Sequence, residues 1–216
     1  MPDIVPAIIA KTKEELFEKI KILDGNAGLF QLDIMDNQFV PNETWRRPED
    51  LAGKKFESDL EAHLMIMNPQ ESIDAWLKSP VKRFIFHWES VDANIRKEIF
   101  SALIEKIHKA GKEAGIAINP ETAWQDIGIL IKNIDVLLFL SVHPGFYGKE
   151  FIPEVIPKIG ALRKAHKNAI IEVDGGIKLS NVTEVLKAGA NRVVVGSAVY
   201  KSTDPAAELA KFRAKL

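Results

Sequence analysis

PAIIAKTKEE (residues 6–15) is the stretch on which the fold turns. It leaves an apolar, strand-like run, DIVPAII (3–9), and enters the helical pattern KEELFEKIKIL (13–23). In that pattern Leu16, Phe17, Ile20 and Leu23 fall on one stripe. A doubly wound sheet that binds a dinucleotide carries a Gly-rich phosphate turn at this first strand–helix junction. PAIIAKTKEE contains no glycine. The junction therefore favours the other architecture made of repeated strand–helix units, a closed (β/α)8 TIM barrel of the α/β class.

The rest of the chain keeps the same alternation. Strand-like runs fall at 28–34, 57–64, 81–87, 114–118, 135–142, 169–174 and 191–195, which with 3–9 makes eight. Helical patterns lie between them. IFSALIEKIHKAG ends in a glycine stop, SNVTEVLKAGA offers Ser180 as its N-cap, and DPAAELAKFRAKL offers Asp204 with Pro205 at the first position. No linker rich in Pro, Gly or Ser divides the chain, so the expectation is a single barrel domain over 1–216.

Composition narrows the function classes. The 29 basic and 30 acidic residues leave a net charge of -1, which provides no electrostatic basis for binding nucleic acid or an anionic membrane. The absence of cysteine excludes disulfides, thiolate metal sites and a Cys nucleophile. The N-terminus lacks the charge and apolar pattern of a signal peptide, and no segment approaches the roughly 18 apolar residues of a membrane span. A cytoplasmic protein is expected, and a homo-oligomer stays open.

In a barrel the active site lies at the C-terminal ends of the strands, and side chains of one parity face the axis. The strand ends are polar here. Gln31 shares parity with Asp33, Glu61 with His63, and Glu172 with Asp174. His87 and Glu89 follow in FHWES. The second and seventh strands lie three steps apart around an eight-membered ring, almost opposite each other. Asp33 and Asp174 can therefore face one small molecule from two sides. Two such carboxylates suit proton removal from one face of a carbon and return from the other. Inversion next to a ketone needs that, with something to stabilise the enediolate formed in between. Asp33, His63 and Asp174 also offer the mixed N/O ligands that zinc, iron or manganese accept. Taken singly, each of the three is as readily a structural hydrogen-bonding residue.

The glycines make a second constellation. Gly145 and Gly148 follow the sixth strand, Gly175 and Gly176 the seventh, and Gly196 and Ser197 the eighth. Barrels commonly hold a phosphate at this place against backbone N–H groups. His108 and His166, among lysines, read as solvated. His87 is as well suited to a structural hydrogen bond as to catalysis. Trp45, in the long segment after the second strand, is a candidate to close over a ligand.

These segments resemble one family across nearly the whole chain, that of ribulose-phosphate 3-epimerase. LDIMDNQFVPN, EAHLMIMNP, FHWES, AINPET, SVHPGFYGKEFIP, VDGGI and GSAVY follow in the family's order and spacing. The resemblance implies a (β/α)8 fold and a metal-assisted proton transfer at C3 of a ketopentose 5-phosphate, D-ribulose 5-phosphate to D-xylulose 5-phosphate. It makes Asp33 and Asp174 the acid/base pair and metal ligands, and His63 a third ligand that also meets the substrate. Gly145, Phe146, Tyr147, Gly148, Gly175, Gly176, Gly196 and Ser197 become the phosphate cradle. Met35 and Met65 match methionines that line the site.

The departures touch the site itself. The family has a metal-ligating His where this chain has Gln31. Ala7 stands for a serine, Asn37-Gln38 for Gly-His, Tyr147 for a glycine and Leu140 for a methionine. The implied cofactor is a divalent ion (Zn, Fe or Mn), with Gln31 as a weaker fourth ligand. Three other readings share these residues: an epimerase of another sugar phosphate, a metal-dependent lyase or aldolase, and a non-catalytic binder of a phosphorylated ligand.

Overall fold

A computed structural model describes residues 2–145 and 148–216. Its eight strands are β1 (Asp3–Ile8), β2 (Leu29–Met35), β3 (Asp59–Met65), β4 (Arg83–His87), β5 (Glu113–Ile118), β6 (Val136–Leu140), β7 (Ile171–Asp174) and β8 (Arg192–Val195). All pair in parallel with their neighbours in sequence, and β8 pairs with β1 to close the barrel. The helices are α1 (Lys13–Leu23), α2 (Ile73–Trp76), α3 (Arg96–Lys109), α4 (Val155–Ala165), α5 (Val182–Ala188), α6 (Ser197–Tyr200) and α7 (Pro205–Arg213). Strand ends differ from the sequence expectation by no more than two residues, and α3 starts three residues earlier than its pattern.

The strands are buried on both faces because helices cover the outside and the barrel interior is filled. β2 is buried at every position, as LFQLDIM. Its outward residues Phe30, Leu32 and Ile34 enter the main core with Phe84, Phe86 and the helices' apolar stripes. Each such fully buried side chain contributes roughly 1.5–3 kcal/mol. Phe86 stacks on Phe100 of α3 with centroids 5.0 Å apart. Inside the barrel lie smaller apolar groups, Val5, Ala7, Leu29 and Val194 on one side and Ile85, Ala117, Val136, Leu138 and Leu140 on the other. Gly115 keeps that interior closed, since a Cβ there would lie 2.5 Å from Val136 Cγ1.

The starts of α1 and α7 follow the capping chemistry of their sequences. Thr12 accepts from Glu15 N, and the Glu15 carboxylate accepts in return from Lys11 N. Asp204 accepts from Ala207 N ahead of Pro205. Ser180 does not cap α5; Asn181 takes the cap position. The Asn181 side chain instead braces the preceding turn, accepting from Lys178 N and donating to the Gly176 carbonyl.

The N-terminal half of the barrel interior is polar. Arg83 Nη1 donates to Glu61 Oε2 at 2.7 Å, and its Nε donates to Glu113 Oε2 at 2.7 Å. Glu172, fully buried, lies 3.8 Å from Arg192 Nη1. Burial holds the Glu172 carboxyl well above the ordinary carboxylate range, the Glu61 charge adds to this, and Arg83 opposes it. A charge in such a place is tolerated only with a partner. Arg83 is that partner for Glu61, and together these residues form the floor beneath the site.

Candidate active site

Three strands deliver the reactive groups to one point. The β2–β3 register pairs Gln31 with Glu61 and Asp33 with His63, so both polar pairs face inward at successive levels. β7 ends at Asp174 on the far side of the ring. Closure of the barrel brings one ligand atom from each of Asp33, His63 and Asp174 within 4.8 Å of the others. His63 Nδ1 lies 3.4 Å from Asp33 Oδ1 and 3.6 Å from Asp174 Oδ2. The expected convergence of these three residues is present.

Gln31 stands at the middle of it. Its Nε2 donates to Asp33 Oδ1 at 2.8 Å and to Asp174 Oδ2 at 2.8 Å, and it is 3.3 Å from His63 Nδ1. Its Oε1 is buried and has no hydrogen-bond partner among the described residues. Sequence reasoning placed Gln31 at the site and missed that its amide would tie both carboxylates together.

The environment sets the protonation states. Burial raises the Asp33 carboxyl to about 6; the Asp174 charge adds to the rise, while His63 and Gln31 oppose it. For His63, burial is the largest single influence and lowers the pKa. The hydrogen bonds and charges of Asp174 and Asp33 together outweigh it and lift the imidazole to about 9. Behind it, His63 Nε2 meets His87 Nε2 at 2.9 Å, and His87 Nδ1 lies 3.4 Å from Glu89 Oε2. Burial pushes His87 down to about 4, so it is neutral there. Glu89 accepts in turn from Asn119 N and the Thr122 hydroxyl. His87 therefore supports His63 from outside the pocket, a role that sequence parity could not separate from catalysis.

A pocket of about 340 Å³ opens above these residues. Asp33, His63 and Asp174 line one part of it, Met35 and Met65 another. Gly145, Gly148, Gly175, Gly176, Gly196 and Ser197 all line it on the β6–β8 side. Gly176 has φ +65°, and a Cβ there would fall 2.6 Å from Phe151 N, so only glycine fits. Phe146 and Tyr147 lie outside the described residues. Lys149 and Lys178 also line the pocket, two cations that the sequence reading did not assign to the site. Their signal was available, since both flank the glycines.

The segment after β2 is shaped by its own polar residues. Asp36 accepts from Gln38 N, Phe39 N and Met67 N, and the Thr44 hydroxyl donates to the Asp33 carbonyl. Asn42 Nδ2 donates to the Gly145 carbonyl at 2.8 Å, joining this segment to the one after β6. Trp45 does not close over the pocket. It is buried in the outer core, edge-on to Trp76 with centroids 6.1 Å apart, and its indole N–H donates to Asp50. An apolar ring with one donor gains more from that packing than from an exposed rim.

The Asp33–His63–Asp174 group can hold a divalent metal ion. Two carboxylates and an imidazole supply the charge and donor types, and the 3.4 and 3.6 Å spacings suit ligands sharing one ion. The Gln31 amide adjoins all three ligand atoms, and turning it would offer its oxygen to the same group as a fourth donor. The residues fit such an ion. Among the described residues, no helix is long and apolar enough to cross a membrane.

Comparison with known proteins agrees with this arrangement. Residues 3–200 match the model of the ribulose-phosphate 3 epimerase family. The chain is 36% identical over 216 residues to ribulose-phosphate 3-epimerase of Synechocystis sp., covering 97% of this chain and 92% of that protein. It is 32% identical over 191 residues to the cytoplasmic isoform of that enzyme from Oryza sativa subsp. japonica, covering 87% and 82% of the two chains. A crystal structure of 3-hexulose-6-phosphate synthase superposes with a TM-score of 0.72 over 99% of both chains at 16% identity, which speaks for the fold alone. With a family match spanning nearly the whole chain and the three inward residues at one point, this protein belongs to the ribulose-phosphate 3-epimerase family.

Proposed function

We propose that the protein, as a single barrel domain over 1–216, interconverts D-ribulose 5-phosphate and D-xylulose 5-phosphate, with Asp33 and Asp174 as the acid/base pair. The observation that carries this reading is that two carboxylates from distant strands flank one point in a pocket whose other wall is built of glycines. One carboxylate takes the C3 proton from one face, and the other returns a proton to the opposite face. Asp33, raised to about 6, has a basicity near that of a working general base at neutral pH. Met35 and Met65 form an apolar wall over the reacting carbons that limits water access. His63, held by the two aspartates and backed by His87, keeps the carboxylates oriented. The phosphate is assigned to the backbone at Gly176, Gly196 and Ser197, with Gly145, Gly148 and Gly175 around it and Lys178 adding positive charge.

A divalent ion, when bound by Asp33, His63 and Asp174, would stabilise negative charge on the enediolate oxygens. With a carboxamide where the family has an imidazole, the donor set turns towards oxygen and favours manganese or magnesium over zinc. A cytoplasmic location belongs to the same proposal, in line with the rice relative's name. The test is an exchange assay between the two pentulose phosphates with purified protein, alongside metal analysis. Interconversion at enzymatic rates supports the reading. Tight binding of a pentulose phosphate without turnover would make the protein a binder and overturn it.

A further inference from the structure

We propose that the Gln31 carboxamide is a two-position gate on the cation site. Without an ion its N–H2 group clamps Asp33 to Asp174; with an ion it makes a half turn and presents Oε1 as the fourth ligand. This rests on the reading above that the site takes a divalent cation.

The first support is position. Gln31 Nε2 is 2.8, 2.8 and 3.3 Å from the three atoms that would bind an ion. Ligands about 2.1 Å from one tetrahedral ion are about 3.4 Å from each other, so the amide's inner atom stands near a fourth corner, somewhat drawn in toward the two carboxylates by its hydrogen bonds. The second is charge. Nitrogen and oxygen of a carboxamide have almost the same shape, and the network decides which faces where. Two carboxylates facing one amide demand its two donors. The same position, with a cation among the acids, demands its acceptor.

The third is the unpartnered oxygen. Gln31 is fully buried, yet its Oε1 has no partner among the described residues. An amide locked for good by its surroundings would have both ends satisfied. This one is held from the nitrogen end only. The terminal torsion of glutamine is broad, and a half turn exchanges two atoms of equal size without disturbing the packing. An ion must therefore displace two hydrogen bonds to charged groups before it gains a ligand. Its apparent affinity is reduced by the fraction of molecules in the clamped position. A histidine at this place could not act so, because it presents the same ring nitrogen whether or not an ion is there.

The test uses the whole chain, labelled with 15N and 13C and stripped of metal. Gln31→His identifies the Gln31 side-chain N–H2 signals by their loss. In the metal-free protein these signals should show couplings across hydrogen bonds to the Asp33 and Asp174 carboxylate carbons. Titration with Mg2+ or Zn2+, both diamagnetic, should abolish the couplings and move both N–H signals together. Binding of Mn2+ measured by equilibrium dialysis should tighten on the order of 10-fold or more in Gln31→His, which has no clamp to break. If an ion binds while the Gln31 couplings persist, the gate is wrong and the cation reading stands. If neither Mn2+, Mg2+ nor Zn2+ binds at millimolar concentration, the cation reading falls and the gate with it.

Discussion

Replacing Asp174 by asparagine separates the two halves of the proposed proton transfer. Asp174 Oδ2 accepts from Gln31 Nε2 at 2.8 Å and lies 3.6 Å from His63 Nδ1, so the side chain is fixed from two sides. Asparagine keeps the shape and one acceptor oxygen and removes the charge and the basicity. The local backbone is untouched, since Ser141 N and Oγ donate to the Asp174 main-chain carbonyl. A positioned acid/base contributes roughly 10²–10⁴-fold in rate, a barrier increase of about 3–5 kcal/mol. Epimerisation in Asp174→Asn should fall by that factor with the protein still folded. Net inversion needs both carboxylates, whereas exchange of the C3 hydrogen in one epimer needs only the one on its own face. In D2O, Asp174→Asn should retain deuterium wash-in at C3 of one pentulose phosphate and lose it in the other. Asp33→Asn should show the reverse. NMR of the recovered sugar phosphates reads both. Near-full turnover in either variant, or loss of exchange in the same epimer in both, would refute the two-carboxylate mechanism.

Gly176→Ala should weaken phosphate recognition and the fold together. The residue sits at φ +65° with no room for a Cβ beside Phe151, a conformation that costs a non-glycine residue about 1–3 kcal/mol. Loss of a backbone contact to a charged phosphate should raise KM and the inhibition constant of inorganic phosphate on the order of 10–100-fold; unchanged values for both would move the phosphate elsewhere. In metal-free protein, stability should fall as pH rises across the site's two shifted groups. His63, raised from 6.5 to about 9, contributes stability that is full below 6.5 and lost as pH climbs through 9. Asp33, raised from 3.8 to about 6, disfavours the folded state progressively over that lower window, as its ionised form is the one burial penalises. Each kcal/mol lost lowers Tm by roughly 2–4 °C in a chain of this size. Melting curves in EDTA should show the upper decline in the wild type and its loss in His63→Asn, and a Tm that rises between pH 6.5 and 9 would contradict the assignment.

The architecture was legible in the residues because it rests on local rules. Eight apolar runs alternating with amphipathic ones, and a first junction without glycine, are properties of short segments. So is parity: a period of two sends Asp33, His63 and Asp174 inward wherever their strands end up. The glycines after the last three strands were read the same way, and the need for positive φ at Gly176 is also local. Distances between strands that are not neighbours are different. Asp33 and Asp174 are 141 residues apart in the chain, and only the closure of β1 on β8 lets one amide nitrogen reach both. The sequence marked Gln31 as a lost imidazole, and the barrel made it a clamp, because the function of an amide depends on which charges face it. The same holds for Arg83, whose ion pair with Glu61 comes from the β3–β4 register, and for Trp45, drawn into the outer core by Trp76 and Asp50. Periodicity assigns a side chain to a face; the shear and closure of the sheet decide what it meets there.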